Sequence, residues 1–224
     1  APNIQTVYLQ ETDRVHHKIL HTESKFKILS NDFETHWFDH HMITAHFLKI
    51  ANLKYFFVST HDCKILTFQL FSTKEGNSCK LLHETFVGVK VYCMESFREK
   101  LLLPVNNVIV LYTVGKSQIL KKSFTFLPSS ITKVVSLDVF QDSQLAVADV
   151  RESVTVCVFH EPVNQFLLLA DDIIKKFCVS VKFLDHKTVL VSDKFGGVST
   201  LRVPEDADDL EVFIIKNYPN IATN

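Results

Sequence analysis

Apolar and polar positions alternate along this chain in short runs, separated by turn residues rather than by helical stretches. The clearest run is "TVLVSDKFGGVSTLRVPE", residues 188–205. Thr188–Asp193 reads as one strand and Val198–Val203 as the next, with the chain's single Gly-Gly pair, Gly196 and Gly197, between them. Glycine takes positive φ without a Cβ clash, so the pair suits the tight turn of a hairpin. Alternation puts Val198, Thr200 and Arg202 on one face and Ser199, Leu201 and Val203 on the other. Pro204 has no N–H to give to a ladder and marks the strand end. Phe195 is expected to pack against the sheet, and Asp193 to accept a hydrogen bond from a turn N–H.

The same unit recurs. Alternating strands begin near Ile65 ("DCKILTFQL"), Val108 ("VNNVIVLYTV"), Val154 ("VRESVTVCVF") and Val198 ("FGGVSTLRV"), at intervals of 43, 46 and 44 residues. Before each turn stands another apolar strand: "YFFVST", "KLLLPV", "SQLAVAD" and "TVLVSD". A third precedes it ("VKVYCMESF", "VVSLDVF", "VSVKFLD"), and a fourth follows ("KLLHETF", "SQILKKSFTF", "NQFLLLADD"). Four short strands every ~40–45 residues is the period of a propeller blade. A blade has two apolar faces and covers them only by stacking on its neighbours. The expected fold is all-β: a partial or divergent WD40-like β-propeller of four-stranded blades, with residues 1–224 as one propeller fragment. Three to four blades fit between Ile65 and Val203, and the first sixty residues supply about one more. Seven blades need roughly 300 residues, so the chain is read as part of a larger ring or as one with loops removed. Gly-His and Trp-Asp marks are missing, and the single Trp is Trp37.

Composition narrows the function classes. The chain has 224 residues, is 46% hydrophobic and carries 19 Phe, ample for a packed core. Lys and Arg number 24 against 25 Asp and Glu, a formal charge of −1. Near-neutrality argues against a protein whose task is neutralising phosphates, so weak RNA binding is expected of the isolated chain. Lys121-Lys122 and Lys175-Lys176 are read as solvated loop ends. No apolar run reaches the ~18 residues of a membrane span, and "APNIQTVYLQ" is unlike a signal peptide, so no membrane association is expected. Cys63, Cys79, Cys93, Cys157 and Cys178 are odd in number, without CxxC spacing, and read as reduced apolar side chains of an intracellular protein.

Catalytic and metal chemistry find little footing. "HWFDHHMITAH" holds His36, Asp39, His40, His41 and His46, and His36 and His40 would share a metal if the segment were a helix. The flanking pattern is not helical, which favours a polar loop or surface patch. His61-Asp62-Cys63 coincides with a hairpin turn, so turn chemistry accounts for it. Asp149 and Asp193, 44 residues apart, fit turn acceptors better than an acid–base pair. Nucleophile elbows, phosphate loops and paired cysteines are absent, and a non-enzyme without cofactor or metal is expected.

Several stretches resemble the family of the large β-propeller subunit of splicing factor 3b. "ADDIIKKF" and "SDKFGGVSTLRVP" resemble its Ala-Asp-Asp start and its Asp-Lys-Phe-Gly-Asn turn with an Arg-Leu-Pro strand end. Asp171, Asp172, Asp193, Lys194, Phe195, Gly196, Arg202 and Pro204 match. Gly197 replaces Asn, Val203 replaces Leu, and Phe177 stands where Trp is usual. "ADVRESV", with Asp149, Glu152 and Ser153, resembles the Ser-Asp-x-x-Glu-Ser turn. "ILHTESKFKILSND" and "EVFIIKNY" resemble an Ile-His-Pro-Glu-Ser strand pair and a Glu-Val-Ile-x-Asn-Tyr return strand. Phe33–Leu53 does not align. Loops are expected to be missing near residues 32–36, where the family carries an acidic insertion, and near 208–210.

The resemblance implies the C-terminal propeller of a triple-propeller scaffold. It implies a nuclear role in pre-mRNA splicing, within the splicing factor 3b part of the U2 small nuclear ribonucleoprotein. The implied partners are the helical-repeat (HEAT) subunit and the small subunits of that complex, with RNA met only indirectly. The damaged-DNA-binding cullin adaptor and the large cleavage and polyadenylation subunit share the wider family and give the alternative roles.

Overall fold

In the computed structural model, which describes residues 4–12, 15–30, 33–73, 76–203, 213–214 and 216–217, the one helical element is a single 3-10 turn at Glu161–Val163. All other regular structure there is strand. The first sheet has the order β1-β2-β3, from β1 (Gln5–Thr12), β2 (Val15–His21) and β3 (Phe26–Leu29). The second runs β4-β5-β6-β7, from β4 (Met42–Ile50), β5 (Leu53–Thr60), β6 (Lys64–Thr73) and β7 (Gly76–Phe86). The third has β8 (Glu95–Phe97), β9 (Lys100–Val105), β10 (Val108–Val114) and β11 (Ile119–Phe126), again in chain order.

The fourth sheet contains β12 (Val134–Phe140), β13 (Gln144–Asp149), β14 (Val154–His160) and β15 (Gln165–Asp171). The fifth contains β16 (Cys178–Asp185), β17 (Thr188–Asp193) and β18 (Val198–Arg202). Two short late strands extend them. Strand β19 (Phe213–Ile214) joins β15 in parallel, and β20 (Lys216–Asn217) joins β18 antiparallel. Sequential antiparallel four-stranded sheets at this period make the chain a partial β-propeller.

The backbone divides into two compact units. Residues 1–94, 99–101 and 112–120 form the first, and residues 95–98, 102–111 and 121–224 the second. In the first, Ile19, Phe26, Ile28, Met42, Phe56, Val58, Leu66 and Phe68 close one core between the β1–β3 and β4–β7 sheets. Burying side chains of this size stabilises by about 1.5–3 kcal/mol each. In the second, Ala146, Ala148, Val154, Val156 and Ala170 of one sheet meet Cys178, Val181, Val189, Val191 and Leu201 of the next, with Val203. Small and β-branched residues at the facing positions let these two sheets approach closely.

The 188–203 hairpin has the expected register, with Val189 opposite Leu201, Val191 opposite Ser199 and Ser192 opposite Val198. Pro204 and residues 208–210 lie outside the described residues, as does Asp32. Phe33–Leu53, unaligned by resemblance, supplies the bridges Phe26–Phe38 and Leu29–Glu34 and then strand β4. Three expectations are corrected. Of "VKVYCMESF" only Glu95–Phe97 is strand, because Val91 turns inward and its carbonyl accepts the Ser59 hydroxyl at 2.8 Å. Lys121 and Lys122 are exposed on strand β11 rather than at a loop end. Lys176 is not a solvated loop end: its side chain is largely buried and its ammonium pairs with buried Asp172.

Candidate functional site

Most of the singled-out residues gather where strands end in the second unit. Asp149 closes β13 with a fully buried side chain. Its backbone N–H donates to the Ser153 carbonyl at 3.0 Å, closing the turn. Its Oδ1 accepts the N–H groups of Arg151 (2.8 Å) and Glu152 (3.0 Å), and Oδ2 those of Thr132 (2.9 Å) and Lys133 (2.6 Å). Four backbone donors on one carboxylate leave no free lone pair for proton transfer, so the group is a strut between two loops.

Asp193 repeats the frame one blade later. Its N–H donates to the Gly197 carbonyl at 2.9 Å, and its Oδ1 accepts from Phe195 N (2.7 Å) and Gly197 N (3.0 Å). Gly196 has φ of 87°, the left-handed conformation that the turn requires. Gly197 does not share it. A Cβ there would lie 2.3 Å from Asp193 Oδ2, so the close approach of the carboxylate selects glycine. Phe195 is also corrected: it is 75% exposed and does not pack against the sheet. The cap ties its backbone outward, and its ring meets Phe177 edge-on at 5.7 Å. Arg202 is exposed on β18, paired in register with Thr188.

The Asp171-Asp172 pair divides its work. Asp172 is buried and accepts the Ser153 hydroxyl at 2.6 Å, the Ile174 N–H at 3.1 Å and the Lys176 ammonium at 3.1 Å. Asp171 accepts the Thr155 hydroxyl at 2.7 Å. Burial pushes the Asp171 carboxyl above its ordinary range; the Thr155 bond opposes this, and the Asp172 and Glu152 charges add to it. Glu152 also accepts Lys175 at 3.0 Å, and its carbonyl accepts Lys176 N–H at 2.8 Å. The network locks the 149–153 turn to the 172–177 loop. Sequence reasoning missed Ser153–Asp172–Lys176 as a unit; the i, i+4 spacing of Asp172 and Lys176 was its one local trace.

The histidine-rich segment lies in the first unit and does not converge. His36 packs on Phe38 at 4.3 Å, His40 faces Asp62 (3.8 Å) and Glu84 (3.6 Å), and His46 sits within β4. His41 stacks on His61 at 3.7 Å. Burial, with the His41 and Lys90 charges, holds the His61 imidazole below its ordinary range. Cys63, with φ of 62°, completes the turn after β5 by donating its N–H to Thr60. Among the described residues no group of three or more His, Cys, Asp or Glu is placed to hold a metal ion. No helix among them is long and apolar enough to cross a membrane.

Comparison with known proteins matches residues 50–211 to the family described as the CPSF A subunit region. Pre-mRNA-splicing factor RSE1 of Eremothecium gossypii is 42% identical over 163 residues, 71% of this chain and 13% of the relative. The probable splicing factor 3B subunit 3 of Dictyostelium discoideum is 35% identical over 130 residues, 58% of this chain and 10% of the relative. Spliceosome-associated protein 130 A of Arabidopsis thaliana is 31% identical over 137 residues, 61% of this chain and 11% of the relative. The chain therefore spans about one-eighth or less of these relatives' length.

Proposed function

The chain belongs to the CPSF A subunit region family, and within that family we propose that it is part of a non-enzymatic propeller scaffold in pre-mRNA splicing. It acts as a component of the splicing factor 3b complex of the U2 small nuclear ribonucleoprotein, in the nucleus. Its partners are the helical-repeat subunit and the small subunits of that complex, and RNA is reached through them. The observation that carries the reading is the 42% identity, over 71% of this chain, to a protein named as a pre-mRNA-splicing factor. The described geometry supports a scaffold: its buried carboxylates are saturated by backbone and side-chain donors and fix loops in place. A rigid sheet end that presents fixed loops suits protein–protein contact and needs no cleft.

Tagging the full-length protein in its own cells and identifying what co-purifies tests this. Splicing factor 3b subunits are the expected result. Recovery of a cullin, or of polyadenylation subunits without splicing proteins, would replace the reading by one of those roles. A near-neutral chain also predicts weak RNA binding at physiological salt. Tight binding by the isolated 224-residue chain, with a steep salt slope, would contradict indirect RNA contact.

A further inference from the structure

The 172–177 loop and the 194–197 turn are joined by the Lys194 N–H, which donates to the Phe177 carbonyl at 3.2 Å. On these two loops Phe195 is 75% exposed, Ile173 66% and Ile174 51%. Scattered exposed apolar residues are ordinary, but several on two hydrogen-bonded loops form a patch. The patch is also held rigidly. Phe177 sits at φ of 50°, uncommon for a bulky residue, and Asp193 clamps the backbone under Phe195.

Charge narrows what covers it. Lys175 meets Glu152, Lys176 meets Asp172 and Lys182 meets Asp138. Lys194 instead lies over the faces of Phe177 (4.2 Å) and Phe195 (5.0 Å), and among the described residues it pairs with no carboxylate. A cation on an aromatic face keeps N–H groups available to an anion. We propose that this corner docks an extended segment of a partner protein, one that brings a carboxylate to Lys194 and a large apolar side chain against Phe195 and Phe177. Exposed aromatics in a fixed frame are the usual anchors of such contacts. A single-stranded RNA would also stack on the rings, but Asp171, Asp172 and Asp193 balance Lys175, Lys176 and Lys194 on these two loops, so the corner lacks the excess of positive charge that tracks a phosphate backbone. The inference concerns the chemistry of the corner and holds whichever assembly contains the chain.

A random heptapeptide phage library panned on the 224-residue chain, and counter-selected on a Lys194→Gln/Phe195→Ala variant, tests it. Recovered peptides are expected to place Asp or Glu beside an aromatic or large aliphatic residue. Resynthesised, they should bind about tenfold more weakly to Phe195→Ala and to Lys194→Glu, while Lys194→Arg retains binding. Both side chains are exposed, so the variants should melt with the parent, which separates lost docking from lost folding. Peptides without acidic enrichment, equal binding to the variants, or no selective clone would each overturn the proposal. Corner-dependent binding of octauridylate would overturn it in favour of RNA.

Discussion

Replacing Gly197 by alanine separates two explanations for a glycine that a strand-and-turn pattern treats alike. The new Cβ would lie 2.3 Å from Asp193 Oδ2 and 3.0 Å from its Cγ, far inside contact distance. The carboxylate must then swing away and give up its bonds from Phe195 N and Gly197 N. At about 1 kcal/mol each for partly solvated bonds, Gly197→Ala is expected to destabilise by roughly 2 kcal/mol. That lowers the melting temperature by about 4–8 °C in a chain of this size. Asp193→Ala removes the same two bonds and should cost about the same. In the double variant the methyl has nothing to collide with, so Gly197→Ala adds close to nothing and the two changes couple by roughly 2 kcal/mol. Urea unfolding of the four proteins, with a shared slope, measures the cycle. An equal penalty for Gly197→Ala with and without Asp193 would refute the steric account. Gly196→Val is the contrast. Nothing lies within 4 Å of its Cβ, and its φ is 87°. Its cost of about 1–3 kcal/mol is backbone strain and should persist when Asp193 is absent.

Three further outcomes follow from the buried groups. Asp171 has its carboxyl raised chiefly by burial, so its contribution to stability is full below the unfolded carboxylate value and is lost as pH rises through the folded one. Asp171→Asn, which still accepts from Thr155, should therefore stabilise at pH 7.5 and lose that advantage at pH 3.5; a gain equal at both would contradict the burial account. Lys176→Met leaves the Asp172 carboxylate buried with no cation and should cost about 3–5 kcal/mol, most of it recovered by adding Asp172→Asn. Burial pushes the Cys79 and Cys157 thiols up to about 12 and Cys178 up to about 11. A maleimide at pH 7 should leave these three unmodified in the folded chain and label them in urea, and rapid labelling of the folded chain would contradict it.

Strand order was legible because alternation states which face is buried, and that survives without knowledge of neighbours. Thr188–Asp193 against Val198–Arg202 is such a case. The loops were legible only as far as their bonds are local. Asp149 and Asp193 share an N–H to the carbonyl four residues on, and both accept from the N–H two residues on, so their spacing carries the frame. What differs is the far oxygen. For Asp149 it meets Thr132 and Lys133, brought from the start of the same blade, and joins two loops. For Asp193 it meets the Cα side of its own turn, which excludes a Cβ at Gly197.

The same division explains the misread residues. Lys176 looks like one of a solvated basic pair until Asp172 is found beneath it, and Phe195 looks like core until its cap turns it outward. Each error falls where a buried partner on the same loop, or a backbone bond, outweighs the side chain's own preference. A burial preference worth about 1.5–3 kcal/mol for a phenylalanine is comparable with the bonds that close this turn. A chain that keeps the cap and exposes the ring gives up that burial within its own fold. The exposed ring can recover it against a partner surface, and beside it stands Lys194, which among the described residues pairs with no carboxylate.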